Sequence, residues 1–279
     1  MKVFLTSLFL IASQISAVGF EISTGPGYRQ DRLVWRDGGN RGVYPHLRMF
    51  DWALAFDMSF GAFHLAGEGD MGWFSRQTMR KINQDSFPAP VSIAYVASGR
   101  ATTGMLYAGY RLGQKSYLMP LAGWIYDSVR LNGSQPIPPF QRLAASAPYL
   151  FADASIEILS RETQVWQGPL LGAQLSWQPL GLIRFTGLYA YSWLRASHSF
   201  SEIDTLRTYL PGPTLSTVQE ISQNANTRRS GHGNVGVFQT LFFLSQKISL
   251  DFNFRYLSLQ DPISQLNSFT LWSTLDYRF

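Results

Sequence analysis

The stretch that decides the fold is the last fourteen residues, Leu266-Asn267-Ser268-Phe269-Thr270-Leu271-Trp272-Ser273-Thr274-Leu275-Asp276-Tyr277-Arg278-Phe279. Successive side chains of a β-strand point to opposite faces. Apolar and polar residues alternate along this stretch, and only Trp272 and Ser273 break the order. The pattern predicts a strand with one apolar face. That face lies against lipid or, as the alternative, against the second sheet of a soluble sandwich.

The same alternation recurs upstream, most clearly in residues 50–59, 183–194 and 248–256. Ten such segments can be placed along the chain. Their connections are long after the first, third, fifth and seventh segments and short after the second, fourth, sixth and eighth. Membrane barrels have an even number of strands, short turns on one side and longer loops on the other. We therefore predict an all-β fold, a transmembrane antiparallel up-and-down β-barrel of ten strands with periplasmic termini.

The segments between the apolar patterns are polar and rich in Gly, Pro and Ser, which is typical of loops. We expect four long external loops on this basis, at residues 31–45, 75–90, 132–164 and 195–232.

Composition agrees with a barrel and excludes several other classes. Of the 279 residues, 46% are hydrophobic, 15% aromatic and 15% charged. No run beyond the N-terminus stays apolar for the roughly 18 residues that a spanning helix needs, whereas barrel strands need only about 9 to 11. The absence of cysteine rules out disulfides and thiolate metal sites, and we predict neither a metal nor a cofactor.

The net charge of +5 comes from basic residues that are scattered along the chain. Nucleic-acid binding sites usually cluster such residues, so we expect no nucleic-acid partner. Attraction to anionic lipid or anionic solutes stays open.

The N-terminus has the pattern of a secretory signal peptide. Lys2 supplies the positive start, residues 3–12 the apolar segment, and Ile15-Ser16-Ala17 a cleavage site. We predict a signal peptide over residues 1–17 and a single barrel domain over residues 18–279.

The terminal strand also resembles the C-terminal insertion signal of Gram-negative outer-membrane β-barrels, which usually ends in Phe with Tyr two residues earlier. Tyr277 and Phe279 occupy these two positions. The resemblance implies location in the cell outer membrane, recognition by the barrel-assembly machinery, and contact with outer-membrane lipid.

Two segments are similar to those of the omptins, which are ten-stranded outer-membrane aspartate/histidine proteases. Gly72-Trp73 followed by residues 82–85 looks like the omptin segment with a paired Asp-x-Asp. Tyr191-Ser192-Trp193-Leu194 followed by His198 looks like the strand that leads into the omptin Asp-x-His.

The functional positions of the omptins can be matched to residues of this sequence one at a time. The paired aspartates fall on Asn83 and Asp85, the aspartate before the histidine on Ala196, and the histidine on His198. The catalytic residues of this alternative are therefore Asp85 and His198. Two of three carboxylates are missing, and a catalytic base requires an orienting group. A degenerate protease is thus the less favoured hypothesis, and we expect no enzyme.

The favoured hypothesis is a narrow porin for small solutes, in the style of the outer-membrane proteins of chlamydia-related bacteria, which the aromatic outward faces resemble. Two alternatives stay open. Salt-bridged walls could close so small a lumen, or the barrel could be structural or adhesive and act through its loops. Oligomeric state is not predicted. We expect the lumen to be lined by eight charged residues, Asp51, Asp57, Glu68, Asp70, Arg111, Arg184, Asp251 and Arg255.

Overall fold

The computed structural model describes residues 19–37, 40–83, 91–113, 116–137, 153–209 and 216–279. Within these ranges every strand pairs antiparallel with the next, and β1 pairs with β10 to close the barrel. The prediction of a ten-stranded all-β barrel is confirmed. The signal-peptide prediction, residues 1–17, lies outside the described residues. The strands are β1 Gly19–Asp37, β2 Asn40–Phe60, β3 Phe63–Asn83, β4 Val91–Tyr110, β5 Tyr117–Ile137, β6 Asp153–Leu180, β7 Ile183–Tyr209, β8 Ser216–Phe243, β9 Ile248–Gln260 and β10 Ser264–Arg278.

Alternation along β10 is unbroken. Trp272 points into the barrel and is buried, while Ser273 takes the outward position between Leu271 and Leu275. The large ring is accepted inside because the guanidinium of Arg255 lies over it, 5.1 Å from the ring centroid, in a cation–π contact.

The strands extend well into the four segments that the sequence predicted as loops, so the predicted bounds of those loops were wrong. For example, β7 continues to Tyr209 and β8 begins at Ser216, inside the predicted loop of residues 195–232. Backbone pairing does not depend on side-chain polarity. Beyond the lipid both faces of a strand can be polar, so the apolar alternation ends before the strand does.

The two ends of the barrel differ. One end, called the turn end below, carries the short connections at residues 61–62, 111–116, 181–182 and 244–247. Positive φ values at Gly61 (65°) and Gly113 (114°) serve two of these turns, as glycine permits. The opposite, extended end carries the long strands, although β9 and β10 meet there in the tight connection at residues 261–263. Since barrel turns are short on the periplasmic side, we expect the turn end to be periplasmic.

The outer surface has a broad uncharged band. A contiguous apolar surface of this size suits lipid rather than water. The described residues include no helix that is long and apolar enough to cross a membrane. The most exposed members of the band include Trp52, Leu54, Leu106, Trp124, Leu171, Leu175, Phe238, Phe252, Leu271 and Leu275.

The interior is layered from one end to the other. Along β9 the inward side chains read Ser249, Asp251, Asn253, Arg255, Leu257 and Leu259 from the turn end. Other strands repeat this order, so charged residues lie in the middle and at the turn end, and apolar residues lie toward the extended end. The apolar layer consists of fully buried side chains, among them Leu33, Leu47, Met49, Leu131, Trp166, Leu170, Leu257, Leu259 and Leu266.

Candidate functional site

The charged layer is centred on Arg29 of β1. Its Nε donates to both carboxylate oxygens of Asp31, at 2.8 and 3.0 Å. Its Nη2 donates to Asp127 Oδ1 at 3.0 Å, and its Nη1 to Thr103 Oγ1 at 2.6 Å. The side chains of Arg29, Asp31 and Asp127 are all 0% exposed. This guanidinium therefore ties β1 to β4 and β5 across the barrel.

A second guanidinium, Arg255 of β9, joins the same layer. Its Nη2 donates to Asp70 Oδ2 at 2.7 Å, and its Nη1 to Glu68 Oε1 at 3.3 Å. Asp70 also lies 3.6 Å from Nη1 of Arg29, so it links the two groups. Asp51 is buried beside them, and its Oδ1 accepts the N–H of Trp52 at 2.9 Å. Arg29, Asp31, Asp51 and Asp127 are 0% exposed, whereas the Glu68 side chain at the edge of the layer keeps 15% exposure.

Below the charged layer, at the turn end, lies a cavity of about 310 Å³, called the vestibule here. Residues from all ten strands line it. Its inner wall includes Glu68 and Trp272, which both contact Arg255. The charged layer thus forms the inner wall of the vestibule, which lies at the turn end.

The eight charged residues expected to line a lumen are divided between these two regions. Asp51, Asp70 and Arg255 belong to the buried charged layer. The others line the vestibule, namely Asp57, Glu68, Arg111, Arg184 and Asp251.

His198 lies inside the barrel near the apolar layer. Its Nε2 is 3.2 Å from Glu162 Oε1, and both side chains are buried. Glu162 also accepts hydrogen bonds from the hydroxyl of Tyr44 and, at 2.6 Å, from Nε2 of Gln164. The histidine ring is 5.4 Å from that of Trp35. The imidazole therefore lies close to a buried carboxylate, although its Nε2 makes no hydrogen bond to it.

In the omptin-like alternative, the aspartate that would orient the histidine falls on Ala196, which has no carboxylate. Ala196 is buried on the same face of β7 as His198. The structure brings a carboxylate to His198 from the neighbouring strand β6, through Glu162. Asp85 lies outside the described residues, and of Asn83 only the backbone is described, paired with Asn40 and Val91.

Sequence reasoning missed Glu162, Arg29, Asp31 and Asp127. Glu162 falls in a stretch read as a loop, and Arg29 and Asp31 stand at the edge of a weakly patterned segment. The signal that could have found Arg29 and Asp31 is their spacing of two. In a strand that spacing puts opposite charges on the same face.

A further group of charges lies on the outer surface. Seven exposed arginines, called the arginine belt here, stand just beyond the aromatic part of the apolar band, toward the extended end. For example, Arg195 is the next outward residue after Trp193. Arg100 lies directly opposite Arg130 in the β4–β5 ladder. Among the side chains that the structure describes, no aspartate or glutamate shares this surface. The belt consists of Arg32, Arg48, Arg100, Arg130, Arg161, Arg195 and Arg228.

The belt corrects the impression of scattered basic residues. Its members are isolated along the chain, but neighbouring strands bring them together. Arg48 pairs with Gln30, two residues from Arg32, and Arg228 pairs with Ser197, two residues from Arg195.

The molecule combines a closed ten-stranded wall, an uncharged outer band and a polar interior. The fold is that of the outer-membrane β-barrels. The chain is similar to the outer membrane protease OmpT from Escherichia coli, with a TM-score of 0.58 at 13% identity, covering 95% of this chain and 98% of that one. Location in the outer membrane follows from this fold together with the apolar band.

Two other outer-membrane barrels show a weaker likeness. The toluene transporter TodX of P. putida has a TM-score of 0.36 at 8% identity, covering 96% of this chain and 91% of that one. The attachment invasion locus protein Ail of Yersinia pestis has a TM-score of 0.27 at 12% identity, covering 92% and 98%. No protein-family model and no curated protein matches the sequence.

Proposed function

We propose that the protein is a closed outer-membrane barrel that works at its extended, external end and is held in the outer leaflet by its arginine belt. The observation that carries this proposal is the filled interior. Arg29, Asp31 and Asp127 are completely buried, and the apolar layer covers them toward the extended end. Small barrels are commonly filled by their own side chains, whereas wide aqueous channels need more strands. The narrow porin remains the alternative.

The partner that the belt fits is anionic lipid of the outer leaflet. Guanidinium groups bind phosphate through paired hydrogen bonds. Arg100 and Arg130 face each other directly, and like charges in that position repel. A phosphate between the two groups would remove the repulsion. No carboxylate competes for them on the described outer surface.

Single-channel recording in planar bilayers tests the closed barrel. We expect no conductance steps from the wild-type protein. The double variant Leu33→Ala, Trp166→Ala removes two fully buried side chains of the apolar layer and serves as a comparison in which leakage should rise. Regular steps from the wild type, with ion selectivity that changes in Arg184→Gln or Asp251→Asn, would establish the porin instead.

A second candidate function is hydrolysis at His198. The specific observation is the buried Glu162, whose Oε1 lies 3.2 Å from the imidazole. A carboxylate in this place can orient an imidazole as a general base, which Ala196 cannot do. OmpT, the structural neighbour described above, is a protease by name.

Cleavage of a basic peptide tests this second candidate. If His198 is the base, His198→Ala should abolish cleavage and Glu162→Gln should reduce it strongly. Ser197→Ala, on the opposite face of the same strand, should leave it unchanged. Absence of cleavage by the wild type eliminates the candidate.

A further inference from the structure

The vestibule contains three arginines that carboxylates only partly satisfy. Arg278 pairs through Nε with Glu21 at 2.8 Å, but its Nη2 is buried and donates to nothing. Arg111 and Arg184 have no carboxylate within 4.0 Å among the described residues, and the Nε of each is buried without an acceptor. Buried polar groups are normally hydrogen-bonded. These three guanidinium groups therefore keep hydrogen-bonding capacity that no described acceptor uses.

Aromatic rings hold the guanidinium groups in place. Arg111 lies over the ring of Tyr117 at 4.2 Å. Arg184 and Arg278 both lie over the ring of Phe243, at 5.1 and 4.6 Å. Stacking on a ring fixes the plane of a guanidinium but leaves its N–H edge free. This arrangement suits a planar carboxylate, which accepts two parallel hydrogen bonds.

The same cavity has an acidic side. Asp276 accepts a hydrogen bond from Thr274, and Asp57 lies 3.2 Å from Nδ1 of His64. Asp251 accepts from Gln239 at 2.5 Å and from Asn253 at 2.7 Å through Oδ2. Its Oδ1 is buried and has no partner. A simple anion would meet these carboxylates as well as the arginines, so charge complementarity requires a ligand with both signs of charge.

We propose that the vestibule binds a small zwitterion from the periplasm, a molecule of the amino acid or dipeptide class. The ligand carboxylate receives hydrogen bonds from Arg111 and Arg184, and the ligand ammonium group donates to Asp251. The volume of about 310 Å³ lies at the lower end of the range typical of small-molecule sites. This is a binding site at the turn end, and it does not depend on the function proposed for the extended end.

Isothermal titration calorimetry on the purified protein in a neutral detergent tests the site. The probes are glycylglycine, acetate and methylammonium at equal concentrations. We expect saturable binding of glycylglycine and none of the other two. In the double variant Arg111→Gln, Arg184→Gln, affinity should fall by roughly tenfold or more, since each hydrogen bond between charged groups contributes that much. The matched control Arg100→Gln, Arg130→Gln removes two belt arginines and should bind normally.

A single change on the acidic side gives an independent readout should the arginine variants fold poorly. Asp251→Asn should bind glycylglycine no better than acetate. Three results would overturn the proposal. These are no binding of glycylglycine to the wild type, equal binding of acetate and glycylglycine, or loss of binding in the belt control.

Discussion

Arg29 offers the sharpest test of how the barrel is held together. Its guanidinium donates to Asp31, Asp127 and Thr103, and all of the charged partners are completely buried. The substitution Arg29→Met keeps much of the side-chain volume and removes the charge. Asp31 and Asp127 would then be buried carboxylates without a cation. Removing one member of a buried ion pair costs about 3–5 kcal/mol, and two stranded carboxylates put this variant at the upper end.

A matched comparison comes from Arg278, which pairs with Glu21 at a similar distance of 2.8 Å. That pair is 29% and 27% exposed, and solvated pairs contribute only about 0–1 kcal/mol. Arg278→Met should therefore be much milder than Arg29→Met. Arg29→Lys should fall between the two extremes, because an ammonium group keeps the charge but lacks the fork that reaches three partners.

The measurement is urea-induced unfolding of the barrel in lipid vesicles, followed by tryptophan fluorescence. The triple variant Arg29→Met, Asp31→Asn, Asp127→Asn should regain part of the lost stability, because it neutralises the stranded carboxylates together with the cation. A loss below about 1 kcal/mol for Arg29→Met, equal to that for Arg278→Met, would mean that water reaches the charged layer. It would contradict the closed interior.

Three other expectations concern the wall and its assembly. On the lipid-facing band, Leu54→Arg and Phe252→Arg should each cost about 2–4 kcal/mol in vesicle refolding, and costs near zero would refute the outward register. Because the chain has no native cysteine, a thiol at Pro262 should react with an impermeant reagent on intact cells and one at Gln246 should not; the reverse result would invert the topology. Deleting Phe279, whose ring lies 4.8 Å from that of Tyr277, should reduce outer-membrane insertion measured by cell fractionation, and normal insertion would remove its role as a signal.

The sequence predicted the wall better than the interior. Outward residues such as Leu54 and Phe252 repeat every second position, which is enough to recognise a lipid-facing strand. Trp272 seemed to interrupt this pattern because its type suits lipid. Only the position of Arg255, contributed by the neighbouring strand, explains why it faces inward.

Contacts between different strands bring together residues that the sequence alone could not relate. Glu162 and His198 are close only because β6 and β7 are adjacent and run together beyond the apolar alternation. Likewise, Arg29 and Asp127 are 98 residues apart, and nothing local links them. The arginine belt was hidden for the same reason, since Arg100 and Arg130 meet only across a ladder.

The closing seam of the barrel has a consequence for how the chain could be rearranged. The rings of Phe20 and Phe279 are 5.6 Å apart, and the N–H of Phe279 donates to the carbonyl of Phe20 at 3.0 Å. A circular permutant that joins Phe279 to Gly19 and opens at the tight turn between Gly181 and Leu182 would keep every ladder. Exposed turns tolerate such cuts. The permutant would lack the terminal aromatic residue. It would therefore show whether the barrel can fold without its C-terminal insertion signal.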